Sequence, residues 1–210
     1  DLGEQKILIS ATNDGDYDVI GGAQVQRYGI KGVKGRVHKT KLDSDQAHIN
    51  NNSILVQNIV AHIENPIDHI KIIASVVHDK NQIILDTINQ ITLENKYSPK
   101  YIWCILNSSF MNWYAYRFIF GKAIRTMHFD NAVTSRIPMR ELSPEQQKPF
   151  IKLADRMLNL NKQLQEEKSD TKQDLIKRQI EQTDDAINQM IYKLYGLTEA
   201  EKKIIEDSLR

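Results

Sequence analysis

A chain of 210 residues, 40% hydrophobic and 26% charged, can bury a core without disulfide or metal staples. No apolar run nears the roughly 20 residues that cross a bilayer, no signal-peptide pattern opens the chain, and a lone Cys104 can form neither an internal disulfide nor a zinc site. Disordered, membrane and disulfide-stapled classes are set aside, and a reducing, cytoplasmic setting is expected. The formal net charge of +1 conceals an imbalance: Arg27, Lys31, Lys34, Arg36, Lys39 and Lys41 fall together with no acid among them, and His38 adds a seventh potential charge. The chain starts at Asp1 and runs almost straight into Lys6-Ile7-Leu8-Ile9. It reads as an excised fragment, with any catalytic partner domain outside it.

Residues 1 to about 96 read as strands and loops. Ile7–Ile9, Ile54–Val56 with Ile59-Val60, Ile70–Val77 and Ile83–Ile91 are β-branched runs, bounded by polar turn clusters such as Asn13-Asp14-Gly15-Asp16 and Asn50-Asn51-Asn52-Ser53. Glycines at 29, 32 and 35 are too many for a helix interior and point to an exposed loop or a ragged β-ribbon.

A helix should begin at Ser98, with Pro99 in its first turn, and run through Ile102, Ile105, Leu106, Phe110, Trp113 and Tyr114 to a stop at Gly121. Ile124 to Ile137 returns to strand or loop. Ser143-Pro144-Glu145-Gln146 is a capping box, after which Leu153, Met157, Leu160 and Leu164 step by four and three. A polar break at Ser169-Asp170-Thr171 starts a second stripe through Ile176, Ile180, Thr183, Ile187, Met190 and Leu194. Two such stripes joined by a short turn predict an antiparallel helical hairpin. Gly196 ends it, and Thr198-Glu199-Ala200-Glu201 caps a last short helix. The expected class is therefore α+β: a β-rich, mixed-sheet head with a packed helix over residues 1–142, then a helical hairpin and short C-terminal helix over 143–210.

The basic stretch is the strongest chemical signal. Lysines and arginines that reach duplex DNA release its condensed counterions, and interleaved glycines let a backbone approach phosphates. Lys31, Lys34, Lys39 and Lys41 suit phosphates, which set register without reading sequence. Arg27 and Arg36 suit base edges, because a planar fork can engage guanine in the major groove. Tyr28 and His38 can add stacking or hydrogen bonds. Arg125 belongs to a second basic group with Arg117, Lys122, Arg136, Arg140 and His128, whose other members are more simply surface charges. Of the aromatics between Tyr97 and Phe120, most should be buried, with Tyr116 the candidate to face outward.

Catalytic patterns fail one by one. Asn65-Pro66-Ile67-Asp68 lacks the second proline and the aromatic of an adenine-methyltransferase loop, and a buried Asn-Pro turn explains it better. There is no glycine-rich nucleotide fingerprint or P-loop. Asp79-Lys80 and Asp86 lack the acid-x-lysine triplet of a metal nuclease, the histidines show no ligand spacing, and Asp184-Asp185 reads as a solvated helix face. The fragment is expected to be no enzyme.

Four stretches in order resemble one family. Gly22-Ala23-Gln24-Val25-Gln26-Arg27-Tyr28 resembles the Gly-x-Asp-Ile-x-Arg-Tyr segment of TaqI-like C-terminal specificity domains, which belong to type II restriction–modification enzymes. Lys100 to Ser108 is similar to their helix with a Leu-Asn-Ser core. Ile137-Pro138 with the capped helix after it, and Tyr192-Lys193-Leu194-Tyr195-Gly196-Leu197-Thr198-Glu199, are similar to their closing segments. Ala23-Gln24 departs from the family's charged pair. The resemblance, which extends more distantly to type I specificity subunits, implies a double-stranded-DNA target-recognition domain. It further implies a partner: an N6-adenine methyltransferase core, sometimes with a nuclease, that uses S-adenosylmethionine and precedes this domain. No cofactor is expected in the fragment itself. The rival reading is a protein-interaction module built on the helical hairpin.

Overall fold

The fold rests on a computed structural model that describes residues 13–42, 47–65, 67–76, 78–79, 81–123 and 126–209. The expected strand at Ile7–Ile9 lies outside them. The class is α+β, with several small sheets followed by helices.

In the first sheet β1 (Tyr17–Ile20) lies between β4 (Gly35–Val37), antiparallel to it, and β9 (Gln82–Ile84), parallel to it. Alternation along these strands sends Val19, Val37 and Ile83 into a satellite core with Leu85, and puts Asp18 and its register partner Arg36 on the opposite face, where Ile20 and Ile84 are buried further along. A second, antiparallel sheet places β5 (Ser53–Gln57) between β10 (Ile88–Thr92) and β8 (Ala74–Ser75). Strand β5 is buried on both sides. Ile54 and Val56 enter the main core, while Leu55 points the other way, against Ile20, Val25 and Ile84. The third sheet has β6 (Ile59–Ile63) between β11 (Met127–His128) and β7 (His69–Lys71). Asn65, in the β6–β7 connection, is exposed, which corrects the expected buried turn; Pro66 lies outside the described residues. Finally, β2 (Val25–Gln26) and β3 (Gly29–Ile30) make a two-stranded ribbon.

Helix α1 (Pro99–Leu106) starts at Ser98 as expected, and every residue from Tyr101 to Leu106 is buried. It does not continue to Gly121. At Asn107 the side-chain amide leaves the helix and bonds the backbone of Ala74 in both senses, accepting its N–H and donating to its carbonyl at 3.2 Å each. Ser108 then caps a new helix, α2 (Ser109–Tyr114), by accepting the Met111 N–H. Ala115–Ile119 forms a π turn, and Gly121 closes the segment in the left-handed region at φ 60°. The stretch expected as strand or loop up to Ile137 holds β11 and also a short helical turn, α3 (Asn131–Thr134), nucleated by the Asp130 carboxylate accepting the Val133 N–H at 3.0 Å.

The tail follows its sequence pattern closely. Helix α4 (Pro144–Glu166) carries the Ser143–Gln146 capping box, α5 (Asp170–Tyr195) ends at Gly196 with φ 69°, and α6 (Glu199–Asp207) carries the Thr198–Glu201 box. Helices α4 and α5 form the hairpin. Its stripe does not close on itself alone: Phe150, Ala154, Met157, Ile187 and Ile191 join Ile54, Val56, Tyr101 and Trp103 in one core. The core runs across the boundary expected at 142/143. Among the described residues no helix is long and apolar enough to cross a membrane.

Candidate nucleic-acid interface

The basic stretch divides at Gly29. Before it, the chain is bolted down. Gly22 opens a 3-10 turn pressed against the β9–β10 connection: its N–H donates to Thr87 Oγ1 at 2.9 Å, and a Cβ on Gly22 would sit 2.7 Å from the Thr87 carbonyl oxygen. Gln24 accepts the Gly21 N–H at 3.1 Å, and Gln57 Nε2 donates to the Val25 carbonyl at 2.8 Å. The Arg27 guanidinium is ion-paired with Asp184 of α5 and packs near the rings of Tyr28 (5.3 Å) and Trp103 (5.9 Å). Trp103 Nε1 returns a bond to the Arg27 carbonyl at 2.8 Å. Only 15% of the Arg27 side chain is exposed.

Arg27 is therefore corrected from base-edge reader to clasp between head and tail, since one arm of its guanidinium is held by Asp184 and the side chain is largely covered. Asp184 is corrected with it, from solvated face to the clasp's anion. Tyr28 leans on Trp103, 6.2 Å between ring centroids, and burial pushes its phenol up from its ordinary range. Burial likewise pushes the neighbouring Cys104 thiol up to about 12.

Beyond Gly29 the chain is loose and cationic. Gly29 (φ 153°) and Gly32 (φ 71°) take backbone conformations that favour glycine, in open space. Lys31, Lys34, Arg36 and Lys39 are all exposed. On and beside the edge strand β4, alternation puts Lys34, Arg36 and His38 on the solvent side, opposite Val37. Two acids share this surface. Arg36 Nε bonds Asp18 Oδ1 at 2.8 Å, and His38 Nδ1 lies 3.6 Å from Asp16 Oδ2. Asp16 also accepts the Lys39 backbone N–H at 2.9 Å, and that bond holds its carboxyl below the ordinary carboxylate range. Among the described residues, Lys31, Lys34 and Lys39 have no carboxylate partner. Lys41 closes the short 3-10 turn Lys39–Lys41, and Arg125 lies outside the described residues.

Lys34 also stands over a surface cavity of about 410 Å³, floored by Gly21, Gly22 and Ala23 and walled by Ile59 and Ala61 of β6. Ile59 is 52% exposed there, an apolar side chain beside a cation.

Three members of the second basic group make contacts within the fold. Arg117 lies 5.5 Å from the Trp113 ring, Arg140 lies 5.6 Å from the Tyr195 ring, and Arg136 donates to the carbonyls of Phe118 and Ile119 at the end of the π turn. Tyr116, expected outward, is 6% exposed, and Phe118 is the outward ring at 55%. A π turn spends an extra residue per turn, so it rotates the aromatic pattern out of helical phase. Among the described residues no three His, Cys, Asp or Glu side chains gather as metal ligands.

Three residues that shape the site were not singled out by sequence: Asp16, Asp18 and the Asp184 partnership. Alternation in Asp16-Tyr17-Asp18 is a usable signal for the first two. Nothing local announces the third. Comparison of the chain with known protein families and with curated proteins finds no match.

Proposed function

We propose that this chain is a recognition domain for double-stranded DNA, which positions a separate N6-adenine methyltransferase core on its target and performs no chemistry itself. The observation that carries this reading is the set of exposed cations Lys31, Lys34 and Lys39, which form no ion pair among the described residues, on a glycine-jointed ribbon beside the Arg36–Asp18 pair. A duplex is a dense line of negative charge, and uncompensated cations on a surface segment are the electrostatic footprint of binding it. Lys31, Lys34 and Lys39 would hold phosphates and fix register. Arg36 is the base-edge candidate that remains after Arg27 is assigned to the clasp: it can exchange Asp18 for guanine, as a planar fork allows. The ordering clasp at Arg27 and the shared core would keep the ribbon at a fixed place relative to the tail, and the tail's outer faces would meet the catalytic core. S-adenosylmethionine and the extruded adenine belong to that core.

The test is a titration with mixed-sequence duplex at low and moderate salt. Binding that weakens steeply with salt supports the proposal, and no binding at either salt contradicts it. One observation favours the second reading, a protein-interaction module: Leu175 on α5 is 57% exposed and Ile204 on α6 is 56% exposed. On that reading Leu175→Ser abolishes partner capture and leaves duplex binding unaffected.

A further inference from the structure

Head and tail meet at a groove of about 560 Å³ between the β2–β3 ribbon and α4. Tyr28 and Lys31 line one wall; Asn159, Lys162 and Gln165 line the other. The last three recur every third residue, which places them along one side of α4. None of the groove's lining residues is acidic. Lys31, Asn159, Lys162 and Gln165 are exposed, and among the described residues their side chains, like the Tyr28 hydroxyl, have no hydrogen-bond or ion-pair partner. By contrast, Lys100 on α1 pairs with Asp155 of α4 at 2.5 Å, and Lys148 on α4 pairs with Glu145 at 2.6 Å.

Two lysines facing each other across a channel repel unless an anion lies between them. The amides and the hydroxyl supply hydrogen bonds that carry no preference for one base over another. That combination matches a sugar–phosphate strand. From Lys31 the chain passes through Gly32 to Lys34 in three residues, a reach of at most about 11 Å, so the groove leads directly onto the cationic face of β4.

We infer that this groove takes one backbone strand of the duplex, so that α4 contacts DNA itself and is more than a spacer. The inference rests on the duplex-binding reading. It adds a phosphate contact at Lys162, on the tail, that the sequence reading confined to the head.

Two variants on one helix test it. Lys162→Ala should weaken duplex binding several-fold and lower the salt slope by about 0.9, the value of one phosphate contact. Lys152→Ala, an exposed cation on α4 outside the groove, should change neither. A second measurement does not depend on affinity. Because Cys104 is 0% exposed, iodoacetamide should modify only the new thiol in Lys162→Cys, and saturating duplex should slow that reaction. If wild-type protein binds duplex but Lys162→Ala matches Lys152→Ala and the Lys162→Cys thiol stays unprotected, the groove assignment is wrong and the ribbon assignment stands. Equal protection by inorganic phosphate alone would make it a small-anion site and overturn the strand. If wild-type protein binds no duplex, both assignments fall together.

Discussion

Gly22–Tyr28 and Gly29–Lys39 are adjacent, glycine-bearing and basic, yet the fold uses them in opposite ways. In the first, glycine permits contact: Gly22 has no room for a Cβ against Thr87. In the second, glycine permits conformation: Gly29 and Gly32 have nothing near them and take positive φ. The cations divide in the same manner. Arg27 finds Asp184 on α5 and becomes part of the structure, whereas the side chains of Lys31, Lys34 and Lys39 form no ion pair among the described residues and stay exposed. Charge counted along a chain does not separate a clasp from an interface. What separates them is whether the fold returns a carboxylate from elsewhere and covers the pair, as it does for Arg27 (15% exposed) and not for Arg36 (44% exposed).

Breaking the clasp should have the largest effect on stability. Arg27→Ala strips Asp184 of its partner and uncovers Trp103, and should cost about 2–3 kcal/mol in urea unfolding, below the range for fully buried pairs because 31% of the Asp184 side chain is exposed. An unchanged unfolding midpoint would mean the pair is ornamental. The two kinds of glycine give the next contrast. Gly22→Ala should lose about 2 kcal/mol through overpacking, and Gly32→Ala about 1 kcal/mol through its left-handed backbone, with equal losses contradicting the distinction. Arg36→Ala sharpens the comparison from the other side. It removes an exposed pair and should shift stability by less than about 0.5 kcal/mol, while relaxing preference at one base pair in a sequence-selection assay. Uniform weakening on all sequences would make Arg36 a phosphate contact.

The smallest effect concerns pH. The Lys39 amide bond lowers the Asp16 carboxyl below its ordinary value of 3.8. A depressed carboxylate contributes stability above its unfolded-state value and loses it as pH falls through the folded one. The Lys39 amide resonance should therefore titrate with a midpoint below 3.8, and a midpoint at or above it would break the proposed tie.

Local chemistry explains what was legible in the sequence. Pro99 after Ser98, the boxes at Ser143 and Thr198, the stripes of α4 and α5, and Gly196 all act within a few residues, so periodicity and caps announce them. The misreadings share a different cause. Asn107 ends α1 because its amide completes the edge of β8 at Ala74. Tyr116 turns inward because the π turn shifts helical phase. Arg27 changes role because of a residue 157 positions away. Each depends on a partner that only the folded chain supplies. Of the candidate site, the exposed lysines were readable as charge, but the groove beside Lys162 was not, since its walls come from segments far apart in sequence.

The central claim is that the exposed ribbon meets a polyanion. Its most direct measurement is the dependence of duplex affinity on salt for wild-type protein and for the Lys34→Ala/Lys39→Ala pair. The account predicts a steep negative slope for wild type, reduced by about two contacts' worth in the variant, with unfolding midpoints unchanged. A wild-type affinity indifferent to salt, or a variant slope equal to wild type, would contradict it.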